Sequence, residues 1–230
     1  MNRYHTGMAA MLVNWSAVQC VMLDMDGTVL DLAFDDYFWT SLLPQRYAAL
    51  HGTSIAQAQH ALEPIFAAEH GTLNWYSLDF WSDRTGLDMA ALHVEIRDRI
   101  AVLPGSRAFL DAVRASGRAL WLVTNADAHG WQLKMLETGL GICFDRIVSA
   151  HEFGAAKEQP AFWQRLAAAH PFDAARSLLV DDNLGSLSAA RAYGVQQVMA
   201  VRRPNSKRPP RDVEDFPAVD GLADLLPLPV

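Results

Sequence analysis

Residues Val21-Met22-Leu23-Asp24-Met25-Asp26-Gly27-Thr28-Val29-Leu30 set two carboxylates two positions apart at the end of an apolar run, directly before a glycine. A short apolar run bounded by a turn signal reads as a buried strand, here Gln19 to Asp24. Asp24 then stands at the carboxyl end of that strand, the edge where open α/β sheets bind ligands. Gly27 lets the chain turn sharply away. Asp-Gly is also an ordinary turn dipeptide, so on this stretch alone a solvated turn and a metal-assisted phosphoryl-transfer site are evenly matched. The rest of the chain decides between them.

From Phe34 to about Ile100 the pattern is helical. Helices are expected over Asp36 to Leu50, over Ile55 to Glu69 with a break at Pro64, over Trp75 to Arg84, and over Asp88 to Ile100 with Asp88 as N-cap. Pro104-Gly105 punctuates the chain, and Ser106 opens a helix that Gly117 closes. Strand and helix then alternate: strands at Ala119–Thr124, Arg146–Ser149, Ser177–Val180 and Val198–Val201, helices at about Gly130–Thr138, Pro160–His170 and Leu187–Tyr193. Such alternation predicts an α/β fold, a Rossmann-like parallel sheet with helices on both faces. Residues 17–32 and 101–230 would form this discontinuous core. Residues 33–100 would form an all-helical cap inserted above the carboxyl edge of the sheet, where a substrate gate is useful.

Of the 230 residues, 51% are hydrophobic, enough for one domain with an inserted lobe. A formal net charge of −7 argues against a surface built for nucleic acid and leaves room for a small phosphorylated substrate. Cys20 and Cys143 sit in apolar surroundings and are expected to pack as small hydrophobes, which makes a reducing cytoplasm the simplest compartment. Met1 to Gln19 reads as carrying no signal peptide, and no stretch is apolar and long enough to span a bilayer. Arg202 to Arg211 mixes basic residues with prolines and reads as an exposed loop.

Four features recur at strand ends in chain order: Asp24 and Asp26, then Thr124-Asn125, then Lys157 in the loop His151 to Pro160, then Asp181-Asp182. Each alone is unremarkable as chemistry, since strand-end hydroxyls, solvated lysines and capping acids are common. In a parallel sheet, however, all four loops open on one edge and converge. The set resembles the aspartate-nucleophile phosphatases of the haloacid dehalogenase superfamily at all four motifs. That resemblance implies Mg²⁺ held by Asp24, Asp182 and the Asp26 backbone carbonyl, with Asp181 as a further direct or water-mediated ligand. It implies Asp24 as nucleophile, Asp26 as general acid and base, and Thr28 orienting Asp26. Thr124 and the following backbone N–H groups, including Asn125, would hold phosphoryl oxygens that Lys157 neutralises. One residue departs from the pattern: many members place proline after the lysine, whereas Glu158 stands here and proline comes at Pro160.

Asp26 speaks against 2-haloacid dehalogenation, which needs no acid to protonate an alkoxide. Trp15, the run Leu23 to Phe34, Tyr37-Phe38-Trp39, Thr72 to Tyr76, Leu78-Asp79 and Trp81-Ser82 add a resemblance to the bacterial GMP/IMP nucleotidases, which implies hydrolysis of purine nucleoside 5′-monophosphates. Phe34, Tyr37, Phe38, Trp39, Trp75, Tyr76, Phe80 and Trp81 lie in the expected cap, where a ring can stack on a purine, though most must fill the cap's own core. Trp75 and Asn74 are candidates for substrate contact, Asn74 serving otherwise as a helix cap. His129 reads as a surface histidine. The competing readings are a phosphatase of a sugar phosphate, phosphoglycolate or flavin-pathway intermediate, a phosphomutase, and a non-catalytic binding module.

Overall fold

A computed structural model describes residues 13–228; the reading of a missing signal peptide rests in part on residues 1–12, which lie outside the described residues. Six strands, β1 (Cys20–Leu23), β2 (Ala119–Thr124), β3 (Arg146–Ser149), β4 (Ser177–Asp181), β5 (Gln197–Val201) and β6 (Ala218–Val219), form one sheet in the order β3-β2-β1-β4-β5-β6. Every pairing is parallel, with Cys20 opposite both Ala119 and Ser177. The short β6 was not expected from the sequence. Its two residues give periodicity nothing to act on, and it exists because Val201 and the residues before it offer an open edge.

Alternation along the strands explains the layers. Val21, Leu23, Leu120, Leu122, Leu178 and Val180 face one side, where Phe109, Leu110 and Val113 of α6 (Ser106–Ala115) cover them. Cys20, Met22, Trp121, Val123 and Leu179 face the other, under Phe162, Trp163 and Leu166 of α8 (Pro160–Ala169) and Leu187 and Ala190 of α9 (Leu184–Tyr193). Side chains of successive residues point to opposite faces of a strand, so an uninterrupted apolar run requires two covered faces. Cys20 and Cys143 are both free thiols. Among the described residues no helix is long and apolar enough to cross a membrane.

Between β1 and β2 the chain is helical throughout: α1 (Ala33–Tyr37), a π-helical stretch (Phe38–Leu42), α2 (Leu43–His51), α3 (Ile55–Glu69), α4 (Leu78–Thr85) and α5 (Met89–Glu95). Pro44 has no N–H to give to the carbonyl four residues back, and the widened turn precedes it directly. The break expected at Pro64 does not occur. Pro64 lies inside a continuous α3, on the exposed side, where the carbonyl of exposed His60 that loses its partner can be hydrated. The helix expected over Trp75–Arg84 begins as a 3₁₀ turn, Leu73–Tyr76, and restarts as α4 under a Ser77 cap. Asp88 caps α5 as expected, its carboxylate accepting from Ala91 N at 2.8 Å.

These helices enclose their own cluster of Phe34, Phe38, Leu42, Leu62, Trp81, Met89 and Leu92. His93 is buried among them, its ring edge-on to Phe38 at 4.1 Å and to Phe34 at 5.2 Å, with neither ring nitrogen hydrogen-bonded. Burial, with the charge of Lys134 adding to it, lowers its pKa to about 3. A histidine that stays neutral when folded makes the protein lose stability as pH falls from its unfolded value of ~6.5 toward 3, by up to about 1.4 kcal/mol per pH unit. His93→Phe removes that component: urea unfolding from pH 7 to 4 should show a shallower loss in the variant, and parallel curves would contradict it.

Candidate active site

The strand order reverses between the neighbours β1 and β4, the chain after β1 leading to one side of the sheet and the chain after β4 to the other, and a crevice opens at such a point beyond the carboxyl ends. Asp24 follows β1 and Asp181 ends β4; the two strands are tied there by Asp24 N donating to Val180 O at 2.9 Å. The carboxylate oxygens of Asp24, Asp181 and Asp182 all lie within 4.8 Å of one another. Gly27, at φ +87°, holds the turn after β1 against this cluster: a β-carbon there would stand 2.7 Å from Asp182 Cγ and 2.9 Å from Pro204. The position therefore demands glycine for conformation and for space.

Lys157 is the cation of the cluster. Only 1% of it is exposed, and its Nζ donates to Asp24 Oδ1 at 2.5 Å, Asp181 Oδ2 at 2.7 Å and Val123 O at 3.0 Å. Burial alone would lower its pKa; the charges of Asp181 and Asp24 outweigh that and hold it above the usual lysine range. Burial raises Asp24 well above the carboxylate range, with Lys157 opposing and the charges of Asp181 and Asp182 adding to the rise. Asp182 is raised to about 7 by burial and then by Asp181, against Arg211. Asp181 has both oxygens engaged, one by Lys157 and the other by Asn183 N at 2.8 Å. Asp182 meets the Arg211 guanidinium at 3.5 Å.

Thr124 and Asn125 end β2 beside these acids. The Thr124 hydroxyl accepts from Ala126 N at 3.1 Å. The Asn125 side chain braces loops: its oxygen accepts from Lys157 N at 2.9 Å and its amide donates to Glu158 Oε2 at 2.9 Å. Thr28 is fully buried, but among the described residues its hydroxyl has no hydrogen-bond partner and makes no bond to Asp26. Asp26 pairs instead with Lys134, a residue the sequence reading missed. Lys134 lies on α7 (Ala128–Thr138), is 3% exposed, and reaches Asp26 Oδ1 at 2.8 Å and Asp35 Oδ1 at 2.8 Å. It shares the buried side of α7 with Gly130 and Thr138, four residues to either side. A lysine on a helix's inward stripe was the available signal. Asp35 is raised to about 7 by burial and then by Asp26, against Lys134.

The groups face a cavity of about 640 Å³, within the range of small-molecule sites. Its floor is the sheet edge; its roof is helical and includes Trp39, Phe66, His70, Trp75 and Tyr76. Of the eight aromatics considered, Trp39, Trp75 and Tyr76 line it, while Phe34, Phe38 and Trp81 are core. Trp39 and Trp75 stack at 6.2 Å and 20°. Asn74 is not brought to the cavity: it is exposed, and its amide donates to Glu69 at 3.1 Å. His129 is exposed beside Asp79. The basic stretch expected as a plain exposed loop folds back over the sheet edge: Ser206 donates to Asp31 at 2.5 Å, Arg208 and Asn205 meet Asp36, and Arg211 lines the cavity.

Seven aspartates line the cavity against Lys134, Lys157 and Arg211. A phosphate ester entering so acidic a site needs further positive charge. The three clustered carboxylates supply hard oxygen donors suited to a small divalent cation, so the residues present fit one.

Two substitutions test this geometry. Lys134→Met leaves half-buried Asp26 and Asp35 without a counter-ion and should cost about 2–3 kcal/mol in urea unfolding, where a change below ~1 kcal/mol would refute the pairing. Gly27→Ala should displace Asp182 and weaken divalent-cation binding, read by titration calorimetry, more than tenfold; unchanged binding would refute the close approach.

Residues 18–194 match the family model of haloacid dehalogenase-like hydrolases. The chain is 36% identical over 215 residues to the GMP/IMP nucleotidase YrfG of Escherichia coli (strain K12), covering 94% of this chain and 97% of that protein, and equally so to its counterpart in Shigella flexneri. Among solved structures, a HAD phosphatase from Thermococcus onnurineus superposes with a TM-score of 0.76 at 20% identity, covering 90% of this chain and 96% of that one. L-2-haloacid dehalogenase from Xanthobacter autotrophicus does so with a TM-score of 0.60 at 16% identity, with the same coverage. With the parallel sheet and the site at its switch point, these matches make this chain an enzyme that belongs to the haloacid dehalogenase-like hydrolase family.

Proposed function

We propose that the protein is a Mg²⁺-dependent 5′-nucleotidase that hydrolyses purine nucleoside monophosphates, GMP and IMP, through an aspartyl-phosphate on Asp24. The carrying observation is the buried cluster of Lys157 with Asp24, Asp181 and Asp182 beneath an aromatic roof. The likeness of the whole chain to a nucleotidase supports the substrate class.

In this reading Asp24 and Asp182 hold the Mg²⁺ together with the Asp26 backbone carbonyl. Asp181, with both oxygens already bonded within the protein, steadies the cluster. When bound, the cation offsets the charge of the acids and of the phosphoryl group, letting a carboxylate approach a dianion. The Asp24 carboxylate attacks phosphorus, and the bond from phosphorus to the ester oxygen breaks. Asp26 gives its proton to the departing alkoxide. Asp26 then takes a proton from water, which attacks the acyl phosphate, releases inorganic phosphate and restores Asp24. Thr124, the backbone N–H of Asn125 and the Lys157 ammonium hold the phosphoryl oxygens. Thr28, without a bond to Asp26, contributes by packing the turn.

We further propose that residues 33–100 act as a cap over a core of residues 17–32 and 101–230, and that Trp75, with Trp39, offers the ring face on which a purine stacks. The catalytic groups all come from the sheet edge, so the leaving group is selected by the roof.

Initial rates over a panel of nucleoside monophosphates and sugar phosphates, with Mg²⁺ and with EDTA, test the reading. GMP and IMP should be preferred and EDTA should abolish turnover; faster hydrolysis of sugar phosphates would overturn the nucleotide assignment. Asp24→Asn and Asp26→Asn should each lower kcat by at least about 10³-fold while the protein remains folded. Near-normal turnover in either would remove that residue from its role.

A further inference from the structure

Glu158 stands where the family pattern often has proline, and its carboxylate is a junction. Oε1 accepts from the Tyr76 phenol at 2.6 Å and from Asn183 Nδ2 at 2.7 Å, and Oε2 accepts from Asn125 Nδ2 at 2.9 Å. Each donor belongs to a different part of the site. Asn125 ends β2 and also accepts the Lys157 N–H. Asn183 follows Asp182 and caps α9 through Gly185 N at 2.9 Å. Tyr76 comes from the helical roof. Glu158 itself is bonded to Lys157 through the peptide, so the residue that places the ammonium and the one that receives the roof are neighbours.

The roof is docked at this point by more than the phenol. Leu78 N donates to Asp127 Oδ2 at 2.5 Å, and Asp127 N donates to Tyr76 O at 3.3 Å. The Tyr76–Leu78 segment is therefore a second attachment of the insertion, separate from its stem, where Asp31 N donates to Ala101 O and Leu103 N to Val29 O. Of the contacts at this second attachment, Glu158 is the one adjoining the Lys157 cluster. Packing leaves little slack: a β-carbon on Gly185 would come within 3.1 Å of Glu158 Cγ.

We propose that Glu158 is a positioning residue that makes the placement of the Lys157 ammonium depend on Tyr76 being docked, so that the phosphoryl-transfer cluster is held in order when the roof is closed. The inference rests on the aspartyl-phosphatase reading for the role of Lys157. Hydrogen bonds to a charged acceptor are among the stronger ones, and a carboxylate can accept all three donors where an amide cannot, because the amide's NH₂ would face another N–H donor.

The experiment uses the Mg²⁺-loaded full chain with p-nitrophenyl phosphate, together with hydrogen–deuterium exchange over residues 154–159. Glu158→Gln should lower kcat about tenfold or more with KM changed less than about threefold and the urea midpoint kept. Tyr76→Phe, which keeps the ring and removes the phenolic donor, should lower kcat severalfold and speed exchange of 154–159. The double variant should be no worse than Glu158→Gln alone, since both act through one contact. A rise in KM with kcat unchanged, effects that multiply in the double variant, or unaltered exchange in Tyr76→Phe would each overturn the proposal. A wild-type protein inactive on every phosphomonoester would overturn the function proposed above, while the exchange measurement would still decide the coupling.

Discussion

A lysine ammonium held between two aspartates in a water-poor crevice is the constraint on which the rest of the site depends. Three carboxylates within 4.8 Å would repel one another out of any folded arrangement if nothing offset them. Lys157 offsets part of that charge, and its own backbone is pinned in turn by Asn125 and by Trp163, whose indole donates to the Lys157 carbonyl at 2.8 Å. The residual negative charge is what suits the cluster to a divalent cation. It also explains why the sheet edge must be so well covered by apolar layers below: the acids stay close because the strands beneath them cannot spread.

A second buried lysine repeats the device. Lys134 joins Asp26, in the turn after β1, to Asp35, on the first helix of the insertion. With Asp31 and Asp36 engaged by the loop after β5, the stem of the insertion is held by charge and hydrogen bonds from several core segments. The basic stretch Arg202–Arg211 is largely consumed in this way. Arg202 and Arg203 pair with Asp220, Arg208 with Asp36 and Arg211 with Asp182.

Much of the core was legible because its signals are local or periodic. Short apolar runs, from two residues in β3 to five in β2, each followed by a polar residue, mark β1 to β5, and Asp88 and Gly117 mark helix ends. The acids, Thr124 and Lys157 could be grouped without coordinates because a parallel sheet sends all of its strand-to-helix loops to one edge. What escaped depends on partners distant in the chain. Lys134 looks like any helical lysine until Asp26, 108 positions away, is seen beside it. The Asn125 side chain gives no local sign that it is spent on Lys157 and Glu158. Asn74, adjacent to cavity-lining Trp75, points away because the 3₁₀ turn that holds both sends neighbouring side chains in different directions.

By itself, then, the order of residues determined the α/β class, the helical run between the first two strands and the sheet edge on which the four motifs meet, since strand periodicity, turn residues and the loop rule of parallel sheets act over a few residues at a time. Only the tertiary structure decided which side chains are free to meet a ligand and which are committed to one another. Hydrogen-bond and ion-pair commitments are made across 24 positions between Lys157 and Asp181, 133 between Lys157 and Asp24 and 175 between Ser206 and Asp31, and nothing in a local pattern records them.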